Sequence, residues 1–235
     1  MPEIGFSAVI FDMDGLMLGS EQMARTAWRR ALAEWGFVLP DNVYERIVGR
    51  AAVDTKAVLR DALGSALPVE EAYQRKQHYL EEEIAQRGIP LKPGLLELLN
   101  CLDAQAVPKA VASSTHRAFV MRKLAVAGLL SRFDVIVCGD DVPNGKPAPD
   151  VFLAAAERLG VPAGRCVVLE DSDAGIQAAH AAGMIPILVP DLKPPAAEIV
   201  ALAHRVFPSL IEVREYLRSL LGEGPREGCR YTPRR

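Results

Sequence analysis

Residues 8 to 15 read Ala8-Val9-Ile10-Phe11-Asp12-Met13-Asp14-Gly15. The four apolar residues are too few for a helix and show no polar alternation. That is the pattern of a strand in a parallel sheet covered by helices on both faces. Two carboxylates, separated by one residue, follow at its carboxyl end. Open parallel sheets bind ligands at that end, near the point where strand order reverses. The spacing can hold one divalent cation between a side-chain oxygen and a neighbouring backbone oxygen.

Four more short apolar runs read as strands, at 110–112, 135–137, 166–169 and 185–189. Helix-period segments separate the later ones. Phe119, Val120, Lys123, Leu124 and Ala127 recur at helical spacing with one Lys among the apolar positions. Val151, Phe152, Ala155 and Leu159 repeat the pattern after Pro149, a residue tolerated in a first helical turn. Alternating strands and helices predict an α/β fold with a Rossmann-like parallel sheet. One stretch breaks the alternation. From Ser20 to Arg87 only helical patterns occur: Met23, Ala27, Ala31 and Trp35 on one face, then segments at 41–48, 54–63 and 69–87. This block is too long for a single crossover. It predicts a second, smaller all-helical domain over 19–88, inserted after the first strand and hinged near Leu18-Gly19 and Gly88-Ile89-Pro90. The core then comprises 1–18 and 89–221. Residues 222–235, rich in Gly, Pro and Arg, read as a flexible tail.

Composition fits this outline. Of 235 residues, 50% are apolar and 24% charged, which describes a globular chain rather than a disordered one. Lys and Arg number 27 against 30 Asp and Glu, for a net charge of -3. A dedicated nucleic-acid binder usually carries a basic excess, so nucleic acid is not an expected partner. Cys101, Cys138, Cys166 and Cys229 form no CxxC pair and read as small hydrophobes in a reducing compartment. The four histidines are scattered too widely for a local zinc cluster. With no basic, apolar leader and no run near the ~18 residues of a membrane span, the expectation is a cytoplasmic protein without a membrane partner, acting as a monomer.

The residues after each run carry the chemistry. Ser113-Ser114-Thr115 follow the second and offer hydroxyls suited to a phosphate beside a helix N-terminus. Gly139-Asp140-Asp141 follow the third and lead to Gly145-Lys146-Pro147; Glu170-Asp171-Ser172 follow the fourth. Alone, each is ordinary: a turn, a helix cap or a solvated loop cation. Together they gather acids, hydroxyls and a lysine at one edge of one sheet. Burying that much acid is costly without a metal and a cation. Rival motifs fail. Five residues separate Gly139 from Gly145 where a P-loop has four, and Pro147 stands where Ser or Thr is needed. GxGxxG after the first strand, GxSxG and HExxH are all absent.

With these motifs in this order, the chain resembles the haloacid dehalogenase superfamily, specifically its phosphatase and β-phosphoglucomutase-like members with a small helical cap. Phe11-Asp-Met-Asp-Gly15 is similar to the first motif and Ala112-Ser113 to the second. Gly145-Lys-Pro-Ala-Pro-Asp150 is similar to the third, and Glu170-Asp-Ser-Asp-Ala-Gly175, continuing to Met184, to the fourth. The resemblance implies that Asp12 is the nucleophile and forms an aspartyl-phosphate. It implies that Asp14 is the general acid and then the base, that Ser113 holds a phosphoryl oxygen with Ser114 beside it, and that Lys146 offsets charge on Asp12 and the phosphoryl group. Mg²⁺ would be held by Asp12, the Asp14 backbone carbonyl and Asp171, with Glu170 a direct or water-mediated ligand.

Family members that displace halide lack an acid at the position of Asp14, because halide leaves without a proton; its presence implies phosphoryl transfer. Relatives commonly read DSE where this chain has Gly19-Ser20-Glu21, and often carry His at the position of Ala24. Gly19 is expected to loosen the hinge. Ala52 stands where sugar-phosphate mutases carry a phosphate-gripping Arg and phosphonate-cleaving relatives a Schiff-base Lys. Arg50, in the cap loop expected to face the site, is the candidate contact for the leaving group. The expected activity is Mg²⁺-dependent hydrolysis of a small phosphorylated metabolite. The alternatives are a sugar-phosphate mutase and a catalytically idle binding protein on the same fold.

Overall fold

The computed structural model describes residues 5–48, 50, 52–191 and 194–221. All five expected strands form: β1 (Ala8–Phe11), β2 (Lys109–Ala112), β3 (Val135–Val137), β4 (Cys166–Glu170) and β5 (Ile185–Leu188). A sixth, β6 (Arg205–Val206), adds an exposed edge. The strands pair in parallel in the order β3-β2-β1-β4-β5-β6. The chain builds outward from β1 on one side, then returns to its other side with β4. Strand order therefore reverses between β1 and β4, which places the ligand crevice at their carboxyl ends.

The strands are apolar throughout, yet alternate residues serve opposite faces. Val9, Phe11, Val111, Val167 and Leu169 cluster with Leu98 of α5 (Leu95–Ala104), Leu124 of α6 (Arg117–Val126) and Leu217 of α10 (Leu210–Leu221). Ala8, Ile10, Ala112, Cys166 and Val168 cluster with Phe152 of α7 (Asp150–Leu159) and Ala179 of α8 (Asp173–Ala181). Beyond them α9 (Ala197–Leu202) sets Ile199 on Ile176 and Leu188. Each fully buried Leu, Ile or Phe contributes ~1.5–3 kcal/mol, so both helical layers hold the sheet firmly.

Between β1 and β2 lie α1 (Glu21–Ala33), α2 (Asp41–Ile47), α3 (Ala52–Leu63) and α4 (Val69–Arg87). These helices share a core of their own, built from Trp28, Leu32, Val43, Tyr44, Leu59 and Ala72. A second stripe on α1 and α4, formed by Met23, Ala27, Leu80 and Ile84, joins the core beneath the sheet helices. Glu81 on α4 pairs with Arg122 on α6 at 3.1 Å. Trp35 departs from the expected helical face. The helix ends at Ala33 because the Phe37 N–H turns back to the Leu32 carbonyl at 3.1 Å, leaving Trp35 half-buried in the connection.

The two chain segments that enter and leave the block run side by side. Leu18 and Leu91 form an antiparallel bridge. The Gly19 N–H donates to the Pro90 carbonyl at 2.8 Å, and the Lys92 N–H to the Met17 carbonyl at 2.9 Å. A Cβ at Gly19 would press on the Pro90 ring at 3.1 Å, so the small residue permits close approach of the two segments. Cys138 and Cys166 are buried and Cys101 half-buried; Cys229 and the expected tail at 222–235 lie outside the described residues. Among the described residues no helix is long and apolar enough to cross a membrane.

Candidate active site

The end of β1 delivers Asp12 into the crevice, and the end of β4 delivers Glu170 and Asp171 beside it. One carboxylate oxygen from each of these three residues lies within 4.8 Å of the others. Among the described residues the ammonium that faces them is that of Lys146, 3% exposed. It donates to Asp12 Oδ1 at 2.5 Å, Glu170 Oε1 at 2.7 Å and the Ala112 carbonyl at 3.0 Å, and lies over the Phe152 ring at 4.7 Å. Three carboxylates against one ammonium leave the cluster short of positive charge. Burial, reinforced by Glu170, lifts the Asp12 carboxyl above its usual range despite Lys146. Burial, Glu170 and Asp12 lift Asp171 likewise. Burial alone would lower the Lys146 amine, but Asp12 and Glu170 outweigh it and raise it. An oxygen-ligated divalent cation fits this donor set and answers the deficit.

Glu170 is completely buried. Its Oε2 accepts from the Asp171 N–H, the Ser172 N–H and the Ser172 hydroxyl, each at 2.9 Å. The Ser172 hydroxyl in turn accepts from the Gly175 N–H at 3.1 Å and caps α8. Both carboxylate oxygens of Glu170 are thus committed to protein donors, which favours the water-mediated form of its expected metal role. Gly175 packs so tightly that a Cβ there would overlap the Glu170 carboxylate.

Asp14 points away from this cluster. Its Oδ1 accepts from Lys123 Nζ at 2.5 Å and the Ser20 hydroxyl at 2.5 Å, and its Oδ2 from the Thr115 hydroxyl at 3.2 Å. Burial acts to raise this carboxyl, but the Lys123 charge and hydrogen bond, with Ser20, outweigh it and hold the group below its usual value. Lys123, Ser20 and Thr115 thus occupy both side-chain oxygens of Asp14. Lys123, 8% exposed, is the partner of Asp14 that sequence reasoning did not assign to the site. Its signal was a lysine within the apolar recurrence of a helix. Thr115, expected to face phosphate, is engaged by Asp14 instead.

Ser113 is buried and its Oγ accepts from the Thr115 N–H at 3.1 Å, leaving its hydroxyl hydrogen free. The Ser114 Oγ is buried with no hydrogen-bond partner among the described residues. Both line a cavity of about 1070 Å³, open mouth included, that runs from Asp12 and Asp171 up into the helical block. Arg50 lines the same cavity at its rim; it is exposed and forms no ion pair with the described residues. The arrangement sets a carboxylate at a strand end with a buried ammonium on it, a second carboxylate paired with Lys123, and two serine hydroxyls on the wall of the same cavity.

A haloacid dehalogenase-like hydrolase family model matches residues 6–183. Over 190 residues the chain is 40% identical to a protein of Drosophila melanogaster named as a probable pseudouridine-5'-phosphatase, covering 77% of this chain and 80% of that one. Over 177 residues it is 33% identical to the phosphorylated carbohydrates phosphatase of Thermotoga maritima, covering 75% and 82%. The crystal structure of CbbY from Rhodobacter sphaeroides in complex with phosphate matches with a TM-score of 0.79 at 28% identity, covering 88% of this chain and 96% of that one. The chain therefore belongs to the haloacid dehalogenase-like hydrolases and is one of their phosphoric monoester hydrolases.

Proposed function

We propose that this chain is a Mg²⁺-dependent phosphatase of small phosphomonoesters, working through an aspartyl-phosphate on Asp12. The observation that carries this reading is the position of Asp12: at the end of the central strand, 2.5 Å from a buried ammonium, in a crevice that also holds Asp14. In the first half-reaction an Asp12 carboxylate oxygen bonds to phosphorus, the ester P–O bond breaks, and the leaving oxygen takes a proton from Asp14. In the second, water attacks phosphorus while Asp14 takes its proton, and orthophosphate leaves with Asp12 restored. Lys146 and the Ser113 and Ser114 hydroxyls bind phosphoryl oxygens as charge develops. Asp12, Asp171 and the Asp14 backbone carbonyl would hold Mg²⁺, with Glu170 positioning them. The ion would supply positive charge that offsets that of the carboxylates and the phosphoryl group.

The contacts of Asp14 bear on its two roles. Lys123 and Ser20 favour its ionised form, which suits the base. Protonation for the acid role requires the Lys123 contact to loosen when substrate enters. Residues 19–88 act in this reading as a cap domain that excludes water and surrounds the leaving group, hinged at the paired segments near Gly19 and Pro90. The enzyme works as a cytoplasmic monomer on a small phosphorylated metabolite, and a net charge of -3 supports such a partner over nucleic acid. The test is hydrolysis of p-nitrophenyl phosphate with and without Mg²⁺, by the wild type and by Asp12→Asn. Turnover is expected only in the wild type with Mg²⁺, while both proteins keep the same circular dichroism. Turnover by folded Asp12→Asn, or by wild type after chelation, would overturn the mechanism.

A further inference from the structure

The loop that carries Ser113 and Ser114 is fastened from outside the cavity, by side chains with no part in the chemistry just described. It runs from the end of β2 into α6, and the segment that leaves β3 lies along it. The Ser113 N–H donates to the Val137 carbonyl and the Gly139 N–H to the Thr115 carbonyl, each at 3.0 Å. The Arg117 N–H donates to Asp140 Oδ1 at 2.7 Å. A Cβ at Gly139 would overlap the Ser114 carbonyl, so the two segments meet backbone to backbone.

Asp141 closes this junction. Its Oδ1 accepts from Arg117 Nε at 3.1 Å. Its Oδ2 accepts from Arg117 Nη2, from Arg158 Nη1 of α7 at 3.2 Å and from the Cys138 N–H at 3.0 Å. Arg117 Nη2 also donates to the Ile136 carbonyl at 2.9 Å. A two-pronged arginine–carboxylate contact fixes orientation as well as distance. Neither Arg117 nor Asp141 lines the cavity that Ser113 and Ser114 line. The Ser114 hydroxyl is buried with no partner among the described residues, a condition that costs stability. A loop free to turn would relieve it, whereas a loop held from behind keeps the hydroxyl unpaired and available.

We propose that Asp141 and Arg117 are positioning residues for phosphoryl binding: their contact holds the 113–115 loop so that the Ser113 and Ser114 hydroxyls stand ready for phosphoryl oxygens. The assignment rests on the phosphatase reading, which gives those two serines a phosphoryl group to bind. A purely structural clamp adds stability and nothing else. A positioning clamp acts through the serines, so its removal matters to binding only while they are present.

The experiment measures p-nitrophenyl phosphate kinetics with Mg²⁺, orthophosphate binding by calorimetry, and a thermal melt. It compares the wild type, Asp141→Ala, Arg117→Lys, the serine-free pair Ser113→Ala with Ser114→Ala, and each clamp variant added to that pair. In folded protein Asp141→Ala should lower kcat/KM and weaken orthophosphate binding by ~10- to 10²-fold. Arg117→Lys keeps the charge but loses the fork; it should show a smaller loss of the same kind, and it carries the test if Asp141→Ala does not fold. Added to the serine-free pair, either clamp variant should cost no more than ~2-fold. Asp103→Ala breaks the Lys109 and Arg132 pairs at the opposite end of β2 and should lower the melting temperature without either loss. Clamp variants that melt lower but keep wild-type kinetics and phosphate affinity would overturn the assignment. So would a full further loss in the serine-free pair, or an equal loss of phosphate affinity in Asp103→Ala. A wild type that turns over no ester yet binds orthophosphate through the clamp would refute the phosphatase reading alone, and one that binds no orthophosphate would overturn both.

Discussion

Lys146→Met removes the ammonium that faces buried Asp12 and Glu170 and half-buried Asp171. It deletes contacts to Asp12, Glu170 and the Ala112 carbonyl while keeping the bulk of the aliphatic stem over Phe152. Breaking a buried ion pair by removing one partner costs ~3–5 kcal/mol. The low end applies here, because Asp12 and Asp171 already lie above their usual range and take up protons once the amine is gone. A loss of ~3 kcal/mol lowers the melting temperature of a chain this size by ~6–12 °C. Phosphoryl transfer suffers separately, since the ammonium faces the nucleophile, and kcat/KM should fall ~10²-fold or more. Mg²⁺ should then raise the variant's melting temperature more than the wild type's, because it replaces the positive charge lost from beside Asp12 and Glu170. Thermal melts with and without Mg²⁺, together with p-nitrophenyl phosphate kinetics, measure all three effects. A variant that melts within ~2 °C of wild type and turns over at a similar rate would refute the charge balance drawn here.

Two other outcomes probe the scaffold. Gly175→Ala places a methyl group into the Glu170 carboxylate; urea unfolding should show a loss of ~1–3 kcal/mol, although Ala is the better helix former, and a gain in stability would contradict the packing. Asp141 is held down to about 2, chiefly by its hydrogen bond to Arg117. Its contribution is therefore complete above the ordinary carboxyl value of 3.8 and lost as pH falls through about 2. The gap in urea midpoint between wild type and Asp141→Asn should narrow from about pH 5 to about pH 2, and a gap constant across that interval would remove the assigned cause.

The strands of the interior were legible because each centres on a short apolar stretch with at least one β-branched residue. β6 was not: Arg205 and Val206 are both exposed at the sheet edge, and two residues give no period to read. The acids and Lys146 could be placed because each follows a strand directly. Lys123 and Ser20 could not be assigned to Asp14 from sequence, because both reach it across a tertiary junction, from α6 and from the start of the helical block. At Gly19 the sequence records permissiveness but not the Pro90 ring against which the residue lies.

The position of β1 also governs how the molecule must assemble. Val9 pairs with Lys109 on one side and with Val167 on the other, so the first strand to leave the ribosome acquires its second neighbour last. At typical synthesis rates that interval is about ten to thirty seconds, during which four apolar residues have at most one partner strand. The helical block, whose contacts are local and whose core is its own, can form inside this interval, whereas the sheet cannot close until β4 has been made. Nascent chains halted before residue 166 should therefore hold the block folded and β1 open to chaperones, with the nucleophile assembled only when the fourth strand arrives.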